Sequence, residues 1–156
     1  MKAKYIILAL LCIVFCQAGL AQTTSKLFEK YADMDNVTSV YISKAMFKMM
    51  PTMQTAGLNL MNMKGKVESL QVLTTERKDL TVKMRNEFSQ LVTKQHEELM
   101  RVRDGKTKAT FYAVMKGDLV KDMLMLADTE EGFTVIQLLG NFTLQDIQEI
   151  TKDMDK

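Results

Sequence analysis

EELMRVRDGKTKATFYAVMKGDLVKDMLMLADTEEGFTVIQLLG, residues 97–140, is the stretch whose reading decides the fold. Four runs stand out in it: 97–103, 109–116, 120–127 and 133–140. Each is a strand-like run rich in β-branched, aromatic or long apolar side chains. Asp104-Gly105, Gly117-Asp118 and Glu131-Gly132 punctuate them with turn residues. Connections this short cannot carry a crossover, so neighbouring strands must run antiparallel, as a meander.

Upstream, VESLQVLT (67–74) reads as a strand with Leu70 and Val72 on one face, and VTSVYIS (37–43) as another. Between the first of these and the meander lies the clearest helix, 79–94, where Leu80, Met84, Phe88, Leu91 and Val92 fall at helical spacing. A shorter helix is expected at 26–34. A last one should start at Thr143-Leu144-Gln145-Asp146, a capping-box-like sequence, and bury Leu144, Ile147, Ile150 and Met154. The expected class is α+β: an antiparallel or mixed sheet of about five to six strands with helices packed on one face.

The chain begins MKAKYIILALLCIVFCQAGLAQ. Lys2 and Lys4, an apolar run from Tyr5 to Phe15, and Gly19-Leu20-Ala21 have the layout of a cleavable signal peptide at residues 1–21. The apolar run is short of the roughly 20 residues that span a bilayer. Cys12 and Cys16 follow Leu11 and Phe15 rather than small residues, so neither fits a lipoprotein signal. Cleavage would leave residues 22–156 as one domain without cysteine, hence without disulfide, thiolate nucleophile or Cys metal ligand. It would also remove two lysines and no acid from a chain of formal charge +2, leaving a neutral protein with no field to attract nucleic acid or an anionic membrane.

Six methionines crowd residues 41–63: Met46, Met49, Met50, Met53, Met61 and Met63. The first four stand at i, i+3, i+4 and i+7, one face of a helix that Pro51 interrupts, so a helical turn to Met50 and a new helix near Pro51 are expected. Core packing is the preferred reading, because flexible thioethers fill irregular gaps; Met34, Met84, Met100, Met115, Met123, Met125 and Met154 also sit at core-like positions. If instead they face outward, Met46, Met49, Met50 and Met53 are the candidate partner surface. All six could alternatively bind a soft metal such as Cu(I), although a single His and no mature Cys leave the usual mixed ligand set incomplete.

Other candidates read as structural. His96 is expected as an exposed residue at a helix–strand junction, and Asp35-Asn36 as a turn rather than a calcium loop, since Thr38 and Lys44 occupy the required Gly and Glu positions. Arg101, Arg103, Lys106 and Lys108 read as a solvated hairpin beside Glu97, Glu98 and Asp104. No nucleophile, phosphate-loop or zinc motif occurs, so no catalytic, cofactor-binding or metal residue is assigned and no cofactor is expected.

VTSVYISKAMFKMMP (37–51) and LVKDMLMLADTEEGFTVIQLLGNFTLQDIQEI (119–150) together resemble the exported Bacteroidota family catalogued as domain of unknown function 4252. The resemblance spans about 25–154 and implies a small α+β envelope domain behind a signal peptide, with a hint of envelope sensing and no functional residues to carry over. The resulting expectation is an exported, non-enzymatic periplasmic domain, free or associated with the outer membrane. It would have no membrane span after cleavage and no nucleic-acid partner, and would bind another envelope protein.

Overall fold

The computed structural model describes residues 24–49, 54–55, 58–60, 63 and 65–152. The expected signal peptide and its cleavage point lie outside the described residues, as do Met50, Pro51, Met53, Met61 and Met154. In chain order the elements are α1 (24–32), β1 (Thr38–Ser43), α2 (Lys44–Met49), β2 (Gln54–Thr55), β3 (Leu58–Asn59), β4 (Val67–Thr75), α3 (Lys78–Ser89), β5 (His96–Asp104), β6 (Thr107–Lys116), β7 (Leu119–Asp128), β8 (Phe133–Phe142) and α4 (Leu144–Thr151).

Six strands form one open antiparallel sheet in the order β1-β4-β8-β7-β6-β5. The meander forms because two of its turns are two residues long, with Gly105 at φ 55° and Gly117 at φ 61°, the left-handed conformation that tight hairpins demand. The third loop closes through Thr129, whose N–H donates to the Gly132 carbonyl at 2.9 Å. Asn36, also at positive φ (65°), makes the expected turn into β1.

β4 pairs with β8, the last strand of the meander, rather than with β5, the strand that follows it in sequence. β4 and β5 therefore point the same way with β8, β7 and β6 between them, and α3 carries the chain across, packing on β8 and β7. A crossover of this kind needs a helix, which the 12 residues of α3 supply.

Helices cover both faces of the sheet, which corrects the single covered face expected from sequence. On one side α1 and α3 contribute Phe28, Tyr31, Met84 and Phe88 against Leu73, Leu124, Phe133 and Val135. On the other, α2, the β2–β3 segment and α4 contribute Phe47, Leu58, Leu60, Met63, Ile147 and Ile150 against Leu70, Val72, Met123, Met125, Ile136 and Leu138. The adjacent pairs Leu124/Met125 and Val135/Ile136 are both fully buried but on opposite sides, as a two-faced sheet requires. A sheet covered on one face would have left half of these positions in water.

Two local expectations fail for identifiable reasons. In place of a new helix near Pro51, Gln54–Thr55 pairs with Leu58–Asn59 as a small antiparallel ladder. In sequence only two residues separate the paired segments, too few for a helix between them. In α4 the capping box forms as expected: Thr143 Oγ1 accepts the Asp146 N–H at 3.2 Å and Asp146 Oδ2 accepts the Thr143 N–H at 2.8 Å. Leu144, however, is exposed, and the polar Asp146 and Thr151 are buried with Ile147 and Ile150. Lys66 explains the buried acid, since its ammonium meets Asp146 at 2.6 Å and ties the start of β4 to the helix N-terminus. Burial raises the Asp146 carboxyl, but the bonds from Lys66 and Thr143 outweigh it and leave its pKa below the ordinary value.

Candidate functional site

Lys44–Met49 is too short to be stable alone and is held by a single buried side chain, Phe47, which enters the core beside Leu58 and Met63. Successive helical positions turn by about 100°, so anchoring Phe47 directs its neighbours Met46 and Met49 away from the sheet. Met46 is 44 % exposed and Met49 77 %. Core packing is therefore wrong for these two. It holds for Met63, Met84, Met123 and Met125, all buried, and Met34, Met100 and Met115 pack partly buried against the core. The crowded methionines do not share one environment: Met63 is sealed inside while Met46 and Met49 meet solvent.

The most perturbed acid is Asp122 in β7, on the same side of the strand as Leu124 and Leu126 and hence facing the α1/α3 layer. Its Oδ2 accepts from Gln137 Nε2 at 3.0 Å across the β7–β8 ladder, and its buried Oδ1 has no partner. Desolvation raises the carboxyl to about 6, against the smaller lowering effect of the Gln137 bond. The signal was present in VKDMLML, where a charged residue shares parity with two leucines, but no motif drew attention to it. Two strands away in the same register row, through Val114, lies His96. It is half-buried rather than exposed, its Nδ1 accepts the Thr93 N–H at 3.1 Å, and burial lowers its pKa.

A family model described as Domain of unknown function (DUF4252) matches residues 31–150. The chain belongs to the DUF4252 family. The matched span runs from the last turn of α1 into α4 and so takes in every strand of the sheet. No curated protein and no solved structure matches it.

Elsewhere on this DUF4252 domain, chemistry is sparse. Among the described residues no three His, Cys, Asp or Glu side chains converge as a metal site, and no helix is long and apolar enough to cross a membrane. The basic hairpin is solvated as expected, with Arg101 on Glu98 at 2.5 Å and Lys106 on Glu130 at 3.1 Å. One cavity of about 340 Å³ opens between α1 and the β1 edge, lined among others by Ser25, Phe28, Glu29, Tyr41 and Gln71. A second, of about 500 Å³, lies at the other end of β1 beside Thr74, Glu76 and Arg77. Neither reaches Asp122 or His96.

β1 supplies a feature that sequence reading passed over. It carries the exposed side chains Val40 and Tyr41 and runs directly into the exposed methionines of α2. Alternation had marked 37–43 as a strand, but being the outermost strand is a property of the whole sheet.

Proposed function

We propose that this DUF4252 domain is an exported, non-enzymatic interaction domain of the periplasm that docks another envelope protein on Met46 and Met49. The supporting observation is the pair of unbranched thioethers held in solvent on either side of the anchored Phe47. Exposed methionine gives a partner apolar area on a side chain that adapts its shape. Export rests on the N-terminal sequence and on the family resemblance.

The test is crosslinking and co-purification of the tagged protein from its native envelope, comparing wild type with Met46→Lys/Met49→Lys. A stoichiometric partner lost in the double variant is the expected result, with stability changed by no more than about 0.5 kcal/mol per site because both side chains are at the surface. A wild type without a partner, or a partner retained by the variant, refutes the reading.

A further inference from the structure

The two edges of the sheet are built differently. β5, HEELMRVRD, carries five charged residues and a bulge between Glu98 and Met100, the devices that keep an edge strand from pairing with another chain. β1, TSVYIS, has no charge, no proline and an unbroken register with β4 from Thr38 to Ser43. Among the described residues nothing pairs with its outer side. α2, which follows it, packs against both β1 and β4.

The sequence of this open strand is symmetric about one residue. Ser39-Val40-Tyr41-Ile42-Ser43 reads Ser, β-branched apolar, Tyr, β-branched apolar, Ser from either end. Ser39 and Tyr41 lie on the α1 side, opposite Leu73 and Gln71 of β4. Val40 and Ile42 lie on the other, opposite Val72 and Leu70. A two-fold axis perpendicular to the sheet and midway between two Tyr41 residues sets Tyr41 against Tyr41 of a second copy, Val40 against Ile42, and Ser39 against Ser43. Each pair shares a face and matches in kind, which is what antiparallel cross-strand partners and a self-complementary interface both require.

We propose that β1 pairs antiparallel with β1 of a second copy about Tyr41, joining two sheets into one continuous sheet of twelve strands. Tyr41, 64 % exposed in one copy, becomes a cross-strand aromatic pair lying between the two α1 helices, beside the cavity bordered by Phe28 and Glu29. Val40, 37 % exposed, gains an apolar neighbour on the opposite face. With no charged residue on the strand, two copies meet without repulsion. This inference stands on β1 and does not depend on the methionine surface.

Sedimentation equilibrium over a concentration series, on protein purified as the cell processes it, tests the proposal. Wild type should be a reversible dimer. Tyr41→Lys and Tyr41→Glu, each placing like charges face to face at the axis, should each weaken self-association at least about tenfold. Mixing the two variants should restore the dimer, which a partly unfolded variant or a different interface would not do. Position 41 is mostly in solvent in a single copy, so at concentrations too low for the wild type to dimerise each variant should share its thermal midpoint, and at higher concentrations only the wild type's should rise. Wild type monomeric at all concentrations overturns the proposal, whether some other strand occupies the edge or none does. A dimer insensitive to both variants, or a mixture no tighter than either alone, also overturns it.

Discussion

Asp122→Asn should stabilise the protein at neutral pH and do nothing for it in acid. In the folded state the carboxyl is pushed up to about 6 by burial, from an ordinary value of 3.8. A pKa raised by folding means that the folded state binds the proton more tightly than the unfolded chain does. The stability this carries is fully present below the unfolded value and is lost as pH rises through the folded one. A gap of roughly two units, at 1.36 kcal/mol each, puts the cost of the ionised carboxylate at about 3 kcal/mol above pH 7. Of this cost about 1 kcal/mol remains near pH 4.5 and almost none at pH 3. Asparagine has nearly the same shape, can still accept from Gln137 Nε2, and never ionises. Urea denaturation at pH 7.5, 4.5 and 3 should therefore show the variant ahead by about 3 and then about 1 kcal/mol before the curves meet, with unchanged m-values. Set against a domain stability of about 5–15 kcal/mol, the neutral-pH gain is large enough to measure without ambiguity. A variant destabilised at every pH, or a difference independent of pH, would refute the assignment of Asp122 as a desolvated acid.

Two further perturbations test the frame of the fold. Gly132→Ala drives a Cβ into the Thr75 carbonyl oxygen at the end of β4, with backbone on both sides and nothing flexible to yield. Thermal unfolding should show a loss of about 1–3 kcal/mol or more, and an unchanged midpoint would mean that β4 and the β7–β8 loop are not in contact. Thr143→Ala removes the hydroxyl that accepts the Asp146 N–H and should cost about 1 kcal/mol by chemical denaturation. No loss would mean that the Thr143 hydroxyl does not cap α4.

Strand-like composition and turn punctuation in residues 97–140 were sufficient to define the meander, its four strands and its turns, because hairpin geometry is a local matter of turn residues and φ. The same is true of the α4 capping box and of Leu70 and Val72 sharing a face. The amphipathic pattern of α3 likewise marked a helix, though it ends at Ser89, and Leu91 and Val92 pack beyond it as loop residues. Family membership was also legible, in the Met-rich and C-terminal stretches.

What tertiary structure decided is everything that depends on which elements meet. Period 2 says that Leu124 and Met125 point opposite ways, but not that both faces are covered; the placement of β4 beside β8, with α3 crossing one face and α2 and α4 the other, settles that. Apolar spacing put Met46 and Met49 on a short helix and favoured the core for them, yet in that helix only Phe47 reaches the core, because six residues bring a single position against the sheet. TSVYIS is an ordinary strand in sequence and becomes an open, self-matching edge only because β4 separates it from β8. Asp122 is an ordinary acid in sequence and titrates near 6 only because the fold turns it inward beside Gln137. Local hydrogen bonding and side-chain period are written along the chain, whereas burial, edges and desolvation belong to contacts between residues far apart in it.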